Sequence, residues 1–124
     1  MLQHIEKING KAYVINKFKG LEGWSYLPRL TKYVFPFVGF FVSDGVDEGE
    51  IIAQLVQLLN PENQKEVEQL LIDLVSSVEV DNTKIDFDTE FSGNYDTLFM
   101  LVLQVIKLNY LESFNRLVTN LPKA

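Results

Sequence analysis

The chain has no cysteine and one histidine, His4, in 124 residues. Without cysteine there is no disulfide, no thiolate zinc site and no thiol nucleophile, a composition compatible with a reducing cytoplasm. A single histidine close to the N-terminus supplies neither a serine–histidine–aspartate triad nor a histidine-ligated metal centre. Membrane-spanning runs are missing too, since a bilayer helix needs about 20 apolar residues. The two greasiest blocks are residues 33 to 42, interrupted by Pro36 and Gly39, and residues 98 to 106. The opening Met1-Leu-Gln-His-Ile-Glu-Lys lacks the basic-then-apolar order of a secretory signal, and the glycines fit no phosphate-binding loop. These absences predict a cytoplasmic, non-enzymatic protein with no cofactor, no metal and no membrane contact.

Carboxylates are abundant but poorly spaced for chemistry. Asp44-Gly-Val-Asp-Glu-Gly departs from the alternating ligand spacing of a calcium loop. Asp47, Glu48 and Glu50 instead suit the first turn of a helix, where they complement its exposed N–H groups. Asp86, Asp88 and Glu90 alternate, as a solvated strand edge or a lone divalent-ion site would require. No pocket signature accompanies them for general acid–base work.

Charge is distributed unevenly. Residues 1 to 32 carry six Lys/Arg against Glu6 and Glu22, whereas residues 33 to 90 carry thirteen acids against Lys65 and Lys84. The whole chain is at −6, which disfavours ordinary contact with a phosphate backbone. The basic first quarter can pair with the acidic middle inside the fold, or the acidic middle can face a basic partner.

What is present in quantity is apolar surface. Residues 98 to 106, Leu-Phe-Met-Leu-Val-Leu-Gln-Val-Ile, are apolar at eight of nine positions and cover every face of a helix, so this segment must be hidden. Seven of the fifteen aromatics fall between Trp24 and Phe41. They supply core, or with Phe99, Tyr110 and Phe114 an adaptable apolar groove.

Element by element, Lys11 to Phe18 reads as a strand closed by Gly20 and Gly23, after a mobile terminus over 1 to 10. A helix is expected over about 25 to 35, with Pro28 in its first turn, and a short second piece to 42. The next helix has the stripe Ile51, Ile52, Leu55, Val56, Leu58 and Leu59. Asn60-Pro61 caps and restarts a helix over 61 to 77 with the stripe Val67, Leu70, Leu71, Leu74, Val75 and Val78. A small hairpin or extended excursion around Asp81-Asn82 follows, then a helix from Tyr95 to about Thr119 with Asn109 as its weak point and 120 to 124 as a tail. The fold class is mainly α, an α+β domain spanning 1 to 124 with four or five helices and a minor β element.

This order resembles the tail assembly chaperones of tailed bacteriophages. It runs from Tyr13-Val-Ile-Asn-Lys-Phe18, through an aromatic-proline helix ending near Phe41, to an acidic helical pair broken at Asn60-Pro61. Phe91-Ser-Gly-Asn-Tyr-Asp and Leu-Asn109-Tyr-Leu-Glu-Ser-Phe114 close it. The resemblance covers residues 11 to 119, with Phe91, Gly93, Asn109, Tyr110 and Phe114 at the family's phenylalanine-plus-glycine turn and asparagine-aromatic pair. It implies a late assembly protein in the host cytoplasm, binding no nucleic acid. That protein would coat the apolar helical tape-measure protein until tail-tube subunits polymerise around it, and homo-oligomers would form at rest. The client surface is expected at Phe37, Phe40 and Phe41 together with Phe99, Leu103, Tyr110 and Phe114. Read on charge alone, an acidic inhibitor mimicking nucleic acid is the alternative.

Overall fold

The computed structural model describes residues 3–34, 36, 48–57 and 59–119. Two sharp turns organise its sheet. Asn9 and Gly10 both lie at positive φ, 51° and 83°, which a two-residue hairpin turn of type I′ demands and which asparagine and glycine tolerate best. They join β1 (Gln3–Ile8) to β2 (Lys11–Asn16). Asp81 and Asn82, at φ 53° and 65°, repeat the device between β3 (Glu79–Val80) and β4 (Thr83–Lys84). The four strands form one antiparallel sheet in the order β1-β2-β3-β4, with Tyr13 opposite Val80 and Val14 opposite Glu79.

The sheet corrects two expectations. Residues 3 to 8, assigned to a mobile terminus, are a strand paired along its length with β2. The β component is a four-stranded sheet, larger than the minor element expected, and the fold is mixed α+β. One face of the sheet is covered: Ile8, Tyr13, Ile15 and Val80 are buried, while Ile5 on the other face is 63% exposed.

The helical segments are α1 (Gly20–Tyr33), α2 (Glu48–Val56), α3 (Gln64–Val75), α4 (Phe87–Phe91), α5 (Tyr95–Ile106) and α6 (Glu112–Thr119). A π-helical turn over Lys107–Leu111 joins α5 to α6. The apolar run at 98 to 106 lies within α5, which is the central helix. Leu101, Val102 and Leu103 are fully enclosed, and α5 packs against α2, α3, α4 and the strands β1 and β2. Covering most faces of one helix requires elements on several sides, which is why sheet and helices converge on it. Met100 alone of the 98 to 106 apolar residues stays exposed, at 39%. Each enclosed Leu or Val adds about 1.5–3 kcal/mol relative to exposure. No helix among the described residues is long and apolar enough to cross a membrane.

The α3 stripe is buried as its period requires, from Val67 through Val75 and on to Val78. Its start lies three residues later than expected. Asn60 accepts the Asn63 N–H at its own carbonyl and at Oδ1, both at 3.1 Å, so residues 60 to 63 close a turn and α3 begins at Gln64. Leu55 of α2 is buried, but Val56 and Leu59 are 43% and 47% exposed, so that stripe is narrower than its sequence suggests. Pro28 falls in the middle of α1, where it denies the Trp24 carbonyl its usual helical donor. Trp24 itself is 70% exposed. Phe87–Phe91 is a helical turn where an extended segment was expected. Thr89 Oγ1 donates to Asp86 Oδ2 at 2.7 Å there, a local bond that favours the turn.

Opposite charges from the two ends of the uneven distribution meet inside the fold. Arg29 donates to Asp73 at 2.7 Å and Lys32 lies 3.2 Å from Glu66, tying α1 to α3. Lys11 lies 3.1 Å from Glu90, tying β2 to α4. The basic first quarter therefore pairs with part of the acidic middle.

Candidate functional site

Three helices meet at an apolar groove of about 450 Å3. α3 contributes Gln64, Glu68 and Leu71; α4 contributes Phe87; α5 contributes Tyr95, Leu98 and Phe99; Leu59 comes from the chain just before α3. Phe91 anchors the wall. It is 1% exposed and meets Phe87 edge-on at 5.0 Å between ring centroids, which fixes Phe87 at the groove. Leu71, Leu98 and Phe99 form a nearly closed floor, whereas Leu59 and Tyr95 are 47% and 61% exposed. Floor and wall are set by helices that carry the core, so the shape is largely preformed.

Chemically the groove is a binding surface. Among the described residues Glu68 is its only carboxylate, and no cluster of three or more His, Cys, Asp or Glu in the fold is placed to hold a metal ion. Apolar side chains with a few polar atoms at the margin suit a partner that offers an apolar stripe and keeps its own polar groups in water.

The Asn109-Tyr110 pair lies in the π turn. Asn109 Oδ1 accepts the Phe18 backbone N–H at 2.8 Å, its Nδ2 donates to the Val105 carbonyl at 2.9 Å, and the Tyr110 hydroxyl donates to the Gly23 carbonyl at 2.9 Å. Two of these bonds clasp the π turn to the loop before α1, at Phe18, and to the first turn of α1, at Gly23, while the third holds Asn109 to α5. Burial pushes the Tyr110 phenol above its ordinary value, with Tyr26 and Glu22 adding to the shift. Beside the clasp is a second groove, about 380 Å3, whose lining includes Phe18, Trp24, Leu27 and Tyr110. Leu21 and Trp24 of α1 stand exposed, at 85% and 70%.

The structure separates the site residues expected from the sequence. Phe37, Phe40 and Phe41 lie outside the described residues, as does the side chain of Phe114. Phe99, Leu103 and Tyr110 are 7%, 0% and 6% exposed, and each lines a different groove. The sequence placed these three near one side of a continuous α-helix. The π turn adds a residue to the path from Leu103 to the positions beyond Tyr110, which re-phases everything that follows. Leu59, Phe87 and Tyr95 escaped the sequence reading. Leu59 looked like the end of a buried stripe and Phe87 like a strand residue, and only the 47% exposure of the one and the helical turn at the other place them at the groove.

A family model described as phage tail assembly chaperone protein matches residues 9–122. No curated protein and no solved structure matches the chain.

Proposed function

The chain belongs to the phage tail assembly chaperone family, and we propose that it works without turnover, holding an apolar helical stretch of the tape-measure protein until tail-tube subunits assemble around it. The observation that carries this reading is the groove between α3, α4 and α5, where Leu71, Leu98 and Phe99 floor an apolar channel open at Leu59 and Tyr95. An amphipathic helix laid in such a channel buries its apolar stripe and satisfies its own backbone groups. The wider client surface we propose takes in Phe37, Phe40, Phe41 and Phe114 together with Phe99, Leu103 and Tyr110. The acidic residues that remain exposed on and just before α3, including Glu62 and Glu68, keep chaperone and client in solution. In the absence of client a second copy covers the same surface, in the cytoplasm of the host. The pairing of Glu90, Asp73 and Glu66 with Lys11, Arg29 and Lys32 neutralises part of the acidic middle within the chain, which weakens a nucleic-acid mimic.

Leu59→Glu and Tyr95→Glu test the reading at exposed positions. Co-expression with tape-measure protein should show at least a several-fold loss of soluble client while the melting temperature of the chaperone alone holds. Undiminished client solubility in the double variant would remove the groove from the function.

A further inference from the structure

The outer edge of β1 has no strand beside it among the described residues. The two-residue turn makes Ile8 and Lys11 a hydrogen-bonded pair, so by alternation Glu6 and His4 also bond across to Tyr13 and Ile15 of β2. The backbone N–H and C=O groups of Gln3, Ile5 and Lys7 therefore point away from the sheet. β1 carries no proline, and its register with β2 is continuous over all six pairs, without a bulge. Lys7 is the one charge on the solvent face of this edge, set beside Ile5 at 63% exposure, so the edge is only lightly protected against pairing.

A groove of about 410 Å3 runs beneath the same edge. Its lining includes Glu6, Lys7 and Ile8 of β1, Ile52 of α2, and Met100 and Leu103 of α5. A strand added beside β1 projects every second side chain toward the inner face of the sheet, where this groove lies. Its apolar lining asks for apolar residues at those positions. Glu6, hydrogen-bonded through Oε2 to His4 at 2.6 Å, asks for one basic residue opposite.

We infer that β1 is a docking edge for an extended segment of a partner protein, with alternate apolar residues and a lysine or arginine facing Glu6. Outward donors and acceptors repeated every two residues match an extended backbone. A helix satisfies its own backbone groups and leaves this row empty. The edge lies apart from the groove between α3, α4 and α5, so the inference does not rest on the helical client.

The test selects binders from a random decapeptide library against the full chain and measures their affinity for two variants. Ile5→Pro removes one outward N–H and leaves the ladder to β2 intact. Met100→Glu places a charge in the groove floor at a position 39% exposed. Enriched peptides should alternate apolar residues, and each variant should lower their affinity about tenfold. Methylation of alternate peptide nitrogens should abolish binding, a readout independent of how either variant folds. Enrichment of nothing, selection of peptides with helical apolar spacing, or binding indifferent to nitrogen methylation would overturn the inference. So would light scattering that shows a second copy on the edge, as a dimer that Ile5→Pro dissociates. Leu59→Glu with Tyr95→Glu should leave peptide binding unchanged, which separates a failure here from a failure of the client groove.

Discussion

Asn109 and Phe18 are 91 residues apart in sequence and joined by one bond of 2.8 Å, from the Phe18 backbone N–H to Asn109 Oδ1. The same amide donates to Val105, so a single side chain bridges the loop before α1 and the carbonyl row of α5. The turn that carries it is π-helical, and insertions of this kind often mark functional positions.

Asn109→Leu leaves the Phe18 N–H unsatisfied in a part-buried place. The expected cost is about 2 kcal/mol, read from the urea midpoint at constant slope. Asn109→Asp keeps the acceptor for Phe18 but turns a carboxylate oxygen toward the Val105 carbonyl, so it should also cost stability. Equal stability of Asn109→Leu and the parent would show that the clasp contributes nothing.

Stability should fall at both ends of the pH scale, through different groups. The hydrogen bond from Tyr13 holds the Glu90 carboxyl below its ordinary value, with Lys11 assisting against the opposing effect of burial. A depressed carboxyl contributes stability that is present above its unfolded value, about 4.3, and lost as pH falls through the folded one. The Tyr13 and Tyr110 phenols are raised, first by burial. Their contribution is complete below the unfolded value, about 10, and is lost as pH rises through the folded values. Urea midpoints from pH 3 to 11 should show both limbs. Tyr13→Phe should flatten both limbs and Tyr110→Phe the alkaline one alone. A limb that does not respond to its variant has another origin.

Neighbouring positions on α5 should respond very differently to truncation. Leu101 is fully enclosed, and Leu101→Ala should cost about 3 kcal/mol through lost burial and the cavity left behind. Met100, 39% exposed, should lose less than 1 kcal/mol on the same change. Similar costs at the two positions, measured by thermal melting, would mean that α5 is rotated from the orientation described.

Phe114→Ser addresses the end of the chain. As part of the client surface it should weaken client solubilisation by about 2 kcal/mol with the melting temperature retained. As a core residue it should instead cost about 3 kcal/mol of stability. Circular dichroism melting beside a client co-solubility assay separates the two, and unfolding with no separate binding defect would remove Phe114 from the surface.

The helices were legible where burial follows period. The α3 stripe and the apolar run in α5 leave little choice of environment, and both are buried except at Met100, which is 39% exposed. β1 was hidden because its pattern is inverted: Ile5 faces out, whereas His4 and Glu6 are half-buried and paired with each other. A rule that turns apolar residues inward misreads such a strand, and only Asn9-Gly10 signalled it. Pro28 misled in the other direction: it lies inside α1 rather than in a first turn, because the helix begins at Gly20, before the residues whose spacing suggested it. The groove between α3, α4 and α5 was illegible for a simpler reason. Its walls come from positions 59 to 99, and no local spacing records which exposed residues of separate elements share a hollow.

The place of α5 in the chain has a consequence for synthesis on the ribosome. Its greasiest residues emerge after β1, β2, α1, α3 and the second hairpin, the elements with which it shares the core. The segment most prone to sticking is thus synthesised after most of the elements that cover it. A circular permutant that opens with residue 95 would reverse that order, presenting the apolar helix before its cover.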